Sequence, residues 1–161
     1  MRLSRRAVLG AALGGGTLAA LRGLPAAAMT APVSGATLVL ADPSVSPAFA
    51  EAVRNWTGGS VRAVAGPQTL ADAARWLAAA PGRRVVGLVD DADGVLFQQM
   101  VPRGRATWLS AIHHAPRSTA GADWEIALGD GLGRMAAGRG TGGSLDAGGP
   151  LVARMSFVVA G

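Results

Sequence analysis

Cysteine, lysine and tyrosine are all missing from this 161-residue chain, and histidine occurs only twice, at His113 and His114. Without cysteine there is no disulfide, thiol nucleophile, cysteine-ligated iron–sulfur cluster or C-x-x-C-H haem attachment. A folded domain must then be held by its core alone. Aromatic residues are scarce: three phenylalanines and four tryptophans, Trp56, Trp76, Trp108 and Trp124, scattered along the chain. That scatter reads as core filling and not as a stacking platform for bases or sugars. The uncharged stretch Ala7 to Leu21 is fifteen residues long and contains Gly14, Gly15 and Gly16. A spanning helix needs about twenty apolar residues, and each glycine costs a helix roughly 1 kcal/mol, so a permanent anchor is not expected here.

A basic front, a short apolar middle and the small residues Ala26, Ala27 and Ala28 have the layout of a removable signal peptide. Ser4-Arg5-Arg6-Ala7-Val8-Leu9 resembles the twin-arginine leader of bacterial preproteins, in which an arginine pair precedes an apolar pair. The resemblance covers only the leader. It implies recognition of Arg5 and Arg6 by the twin-arginine export machinery, cleavage after Ala28, and a periplasmic or secreted product that folds before export.

Cleavage there leaves 133 residues, enough for one domain that buries about two thirds of its unfolded surface. The charge changes more than the length. All fifteen basic residues are arginine and four leave with the leader, so eleven remain against ten acids. A mature charge near +1 gives no reason to expect nucleic-acid binding.

After a linker over 29–35, the domain at 36–161 opens with alternating strand and helix patterns. Ala36 to Asp42 reads as a strand buried on both faces. Ser46 and Pro47 start a helix carrying Phe49, Val53 and Trp56 on one side, and Gly58 ends it. Ser60 to Gly66 is a second strand. A second helix starts at Thr69, with Asp72 in a capping-box position, and Pro81-Gly82 stops it. Arg83 to Asp90 is a third strand. These two β-α-β units predict parallel strands with right-handed crossovers. Asp91-Ala92-Asp93-Gly94 then reads as a hairpin turn into a strand over Val95 to Val101. Ala106 to Ala115, Asp123 to Leu128 and Leu151 to Ala160 are further strand candidates. The segment after Leu128 holds one helical turn and a glycine-rich loop at about 138–149. The fold class expected is a single α/β domain with a mixed sheet, parallel in its first half and antiparallel in its second.

In open α/β sheets, ligands bind beyond the carboxyl ends of parallel strands. If the first and third strands are neighbours, Asp42, Asp90, Asp91 and Asp93 converge at one edge, an arrangement able to hold a hard cation such as Mg²⁺. His114 is a further candidate ligand. On a strand, His113 and His114 point to opposite faces and do not grip one metal together. Ser110 and His114 share a face but lie about 13 Å apart, too far for a nucleophile–base pair.

LVDDADGVL resembles the first motif of the haloacid dehalogenase-type phosphohydrolases, which implies Asp91 as nucleophile and Asp93 as acid/base. IALGDGLGRM resembles their last motif, which implies Asp130 on Mg²⁺. The chain departs from that pattern in having no lysine, in carrying Arg134 where a second aspartate belongs, and in separating Asp91 from Asp130 by only 39 residues. The expectation is therefore an exported cell-envelope protein of non-catalytic, binding or accessory type, with no resident cofactor. The alternative is a metal-dependent hydrolase using the strand-end aspartates, and a third reading is a subunit of a larger exported enzyme complex. No stable membrane span is expected after cleavage.

Overall fold

The computed structural model describes residues 35–117, 123–140 and 149–161. Nine elements follow in the order β1 (Thr37–Ala41), α1 (Pro47–Thr57), β2 (Ser60–Ala63), α2 (Pro67–Ala78), β3 (Arg84–Asp90), α3 (Asp91–Met100), β4 (Thr107–His114), α4 (Trp124–Ala136) and β5 (Arg154–Ala160). The expected leader, most of the expected linker and residues 141–148 of the expected glycine-rich loop lie outside the described residues.

The strands form one mixed sheet in the order β2-β1-β3-β5-β4, with β2, β1 and β3 parallel and β5 antiparallel to both β3 and β4. Alternation along the buried strands splits the core in two. Leu38, Leu40, Val85, Val89, Met155 and Phe157 face α2 and α3, while Val39, Val86, Leu88 and Val158 face α1 and α4. The run Leu38-Val39-Leu40 is apolar throughout because both of its faces are covered.

The cap of α1 is as expected: Ser46 Oγ accepts the Ala48 N–H at 3.2 Å, and Gly58 closes the helix at φ 63°. α2 starts earlier than expected, at Pro67. Thr69 instead accepts the Ala65 N–H, and Asp72 bonds Gln68 and Arg75 and takes no part in a capping box.

Two expectations are overturned. Asp91-Ala92-Asp93-Gly94 is no hairpin turn, and Val95 to Val101 is no strand; both belong to α3 and its C-cap. Asp90 caps α3 by accepting the Ala92 N–H at 2.9 Å, and Asp91 and Asp93 sit in the first turn, where the helix dipole favours carboxylates. The place beside β3 that a hairpin partner would fill is taken by β5, from the far end of the chain.

The second correction concerns Asp123 to Leu128, which enters α4, a helix of 13 residues where one turn was expected. Trp124, Leu128, Leu132 and Ala136 recur at four-residue spacing against α1 and the sheet. Gly129 and Gly133 weaken the helix intrinsically but let α1 approach. A Cβ at Gly129 would lie 2.6 Å from the Phe49 carbonyl oxygen, and one at Gly133 would lie 3.1 Å from Val53 Cα.

Candidate functional site

The connection leaving β1 runs to the α1/α4 face, and the connection leaving β3 runs to the α2/α3 face. The sheet therefore splits its loops between β1 and β3, and the crevice opens at the carboxyl ends of those strands. Asp42 follows β1 directly, with its amide donating to the Leu88 carbonyl oxygen at 3.0 Å, and Asp90 ends β3. β5 and β4 bring two more polar residues to the same level, because Asp90 pairs with Arg154 and Arg154 pairs with His114.

Arg154 organises this edge. It is 5% exposed, and its guanidinium donates to Ser44 Oγ at 2.6 Å and lies 3.5 Å from Asp42 Oδ1. Asp42 also accepts the Ser44 amide at 2.9 Å and the Ser44 hydroxyl. Burial by itself pushes the Asp42 carboxyl up. The two Ser44 hydrogen bonds and the Arg154 charge outweigh it and hold Asp42 below its ordinary value. A guanidinium thus already neutralises one of the carboxylates proposed as metal ligands.

The other candidates are distributed as follows. Asp90 accepts from the α3 backbone, and Asp91 accepts from His113 Nδ1 across to β4. Asp93 carries a raised pKa through partial burial and repulsion from Asp90 and Asp42. Asp130 is in α4, where it accepts from Trp56 Nε1 at 2.7 Å and Arg134 Nε at 2.9 Å. Asp91 and Asp130 are therefore committed to different side-chain partners. The two histidines do point to opposite faces. His113 is exposed beside Asp91, whereas His114 is buried, shares a 2.8 Å hydrogen bond with Ser156 and lies 5.6 Å from the Trp124 ring.

Ser156 is fully buried, so its contact with His114 is not an accessible nucleophile–base pair. Among the described residues, no group of three or more His, Asp or Glu side chains has the geometry to hold a metal ion.

Beside Asp42 a groove of about 300 Å³ opens between the β1 and β2 ends and the start of α1. Pro43, Val45, Ala50, Val61 and Ala63 line it, with Asp42, Glu51 and Arg54 as its charged groups. Glu125, in the first turn of α4, accepts the Ser46 amide at 2.7 Å and ties the neighbouring helix to the entry of α1.

Arg154, Ser44, Ser156 and Glu125 were not legible as site residues from sequence. The one signal was an arginine embedded in the apolar run LVARMSFVVA, which demands a buried counter-charge. No family model, curated protein or solved structure matches the chain.

Asp93 supplies a test of this electrostatic picture. An acid whose pKa is raised in the folded state costs stability once it ionises, so stability falls as pH rises through its folded pKa. Asp93→Asn removes that cost. The variant should melt slightly higher than the parent at pH 7, with a gain below about 1 kcal/mol because the group is largely solvated. The gain should vanish once the solution is acid enough to protonate Asp93. Thermal unfolding at pH 3 and pH 7 measures both; a lower melting point for the variant at pH 7 would contradict the assignment.

Proposed function

We propose that the chain is the precursor of an exported binding protein of the bacterial cell envelope, whose ligand occupies the groove beside Asp42. The observation that carries this reading is the composition of the groove: a mostly apolar lining with a few charged groups among it, the usual make-up of a small-molecule site. Arg154 supports binding over hydrolysis, because it holds Asp42 as a fixed hydrogen-bonding group. The ligand this groove fits is a small molecule with an apolar body and one polar end.

Native mass spectrometry of protein taken from the envelope tests it. A bound small molecule is the expected result. Ala63→Phe, an exposed position on the groove wall, should fill the space and abolish that adduct while leaving the melting temperature within a few degrees. A stoichiometric divalent metal would favour the hydrolase reading, and a copurifying enzyme the accessory-subunit reading.

Export is tested separately at the leader. Replacing Arg5 and Arg6 with lysine preserves the charge before the apolar run, which is all an ordinary secretory leader requires. A receptor reading planar guanidinium forks loses its donors. The double-lysine precursor should therefore stay in the cytoplasm, as should the parent in cells without the twin-arginine machinery. Fractionation that finds either of them exported would remove this part of the proposal.

A further inference from the structure

The four helices all run opposite to β1 and β3, so their carboxyl ends gather at the end of the sandwich away from Asp42 and Asp90, although Arg54 in the last turn of α1 also reaches the groove wall. Charge is unevenly distributed along the same axis, with Arg154 and Arg117 the arginines that stand at the carboxyl ends of β3 and β4. Asp42, Asp90, Asp91, Asp93, Asp123 and Glu125 lie at or beside the groove end. Arg75, Arg83, Arg103, Arg105, Arg134 and Arg139 lie in the last helical turns and in the loops of the opposite end. The acids nearest to that basic end, Asp72 and Asp130, are each bonded to one of its arginines. The described residues carry eleven arginines against nine acids, so any attraction comes from the separation of charge and owes little to the net value.

Part of this arrangement answers the helix dipoles, which favour cations in the last turn of α2 and α4. Arg83 serves it too, donating to the Trp76 carbonyl oxygen in the last turn of α2 at 2.7 Å, whereas Arg103, Arg105 and Arg139 stand in loops beyond that need. Two of these loop arginines are stacked on tryptophan. Arg83 lies 4.9 Å from the Trp76 ring, and Arg139 lies 5.7 Å from the Trp56 ring, beside Arg134 at 4.6 Å. Tryptophan with arginine at one surface is the pairing that suits a bilayer headgroup region, where apolar rings meet phosphate charge.

The chain also enters the domain here. Gly35 is packed against Gly82, so closely that a Cβ at Gly35 would collide with the Gly82 carbonyl.

We propose that this end of the sandwich, built on Arg83, Arg103, Arg105 and Arg139 with Trp56 and Trp76, docks on an anionic phospholipid surface. The phosphates meet the guanidinium forks, and the acidic groove end is left facing away from the bilayer. This surface is separate from the groove, so it stands or falls independently of the ligand reading. It also needs no membrane-crossing helix, and none of the described helices is long and apolar enough to be one.

The test is sedimentation of the full chain with vesicles of phosphatidylcholine, alone or mixed with equal parts phosphatidylglycerol, at low salt. R103Q/R105Q removes two exposed arginines from the proposed surface, and R62Q/R117Q removes two from elsewhere. The leader is common to all three proteins, so its own affinity cancels. Each arginine near an anionic surface contributes about fivefold. R103Q/R105Q should therefore bind the mixed vesicles roughly 25-fold more weakly than the parent, while R62Q/R117Q should stay within a fewfold of it. Equal losses in the two variants would overturn the proposal. So would indifference to phosphatidylglycerol, or tighter arginine-dependent binding to duplex DNA than to the vesicles.

Discussion

Phe157→Ala should lower unfolding stability by about 3–5 kcal/mol, a large share of the 5–15 kcal/mol that holds a domain of this size. The ring is fully buried on the α2/α3 side of the sheet. It stacks on Phe97 with centroids 5.0 Å apart and meets Trp108 edge-on at 5.8 Å. It also occupies the space that Gly87 leaves on the neighbouring strand, since a Cβ built at Gly87 would fall 2.1 Å from Phe157 Cζ. Gly87→Ala should therefore destabilise the parent by about 3 kcal/mol, because the ring is confined by packed neighbours and cannot move aside. In the Phe157→Ala background the same glycine substitution should be nearly neutral or mildly stabilising, since alanine suits a strand better than glycine. Urea unfolding of the four proteins gives the coupling; simple additivity of the two losses would refute this account. Phe157→Leu serves as the milder partner if the alanine variant does not fold.

The second large effect belongs to Arg154. Removing one member of a buried ion pair leaves the other charge unpaired, typically at 3–5 kcal/mol. Arg154→Met should fall near the lower end of that range, because Asp42 keeps some solvent contact and its two bonds from Ser44. Asp42→Asn leaves Arg154, which is buried more deeply, without its counter-charge and should cost a similar amount. The double variant should cost clearly less than the sum of the two, as expected for groups acting as one unit. The pH dependence has a definite sign. Asp42 has a lowered pKa in the folded state, so its contribution is fully present above its ordinary value near 3.8 and is lost as pH falls through the folded value. The parent's advantage over Asp42→Asn should hold at pH 7 and shrink below about pH 3.8. Chemical denaturation at pH 7, 4 and 3 reads the trend, and a difference that grows on acidification would reverse the argument.

Much of the first half of the fold could be read from local sequence. The turns and caps there depend on neighbouring residues: Ser46 and Pro47 begin α1, Gly58 at φ 63° ends it, and Pro81-Gly82 separates α2 from β3. The apolar run at Leu38 to Leu40 announced a strand covered on both faces. Short right-handed crossovers made β1, β2 and β3 parallel, but the adjacency of β1 and β3, which sets Asp42 and Asp90 at one edge, was a condition that the sheet order supplied.

The site was less legible, because its central residue is recruited from far along the chain. Asp42 and Arg154 are more than a hundred residues apart, and only the antiparallel docking of β5 beside β3 brings them together. The same docking explains the misread hairpin. Asp and Gly accept turn dihedrals and helical first-turn positions alike, so Asp91 to Gly94 carries no local signal that excludes either. Occupation of the neighbouring sheet position by β5 decides for the helix. In α4, likewise, the glycines that argue against a helix locally become favourable once α1 is pressed against Gly129 and Gly133.

Local chemistry by itself determined the start and end of α1, the buried central strands, the parallel first half and the absence of any thiol or lysine chemistry, because each depends on residues within a few positions or on composition. Tertiary structure alone decided that α3 and α4 are helices, that Arg154 neutralises Asp42, that His114 meets Ser156, and that Arg83, Arg103, Arg105 and Arg139 share the end of the sheet opposite Asp42 and Asp90. Each of these rests on contacts whose partners are set by the order of strands in the sheet, and pairing between distant segments leaves no periodicity or motif along the chain to reveal it.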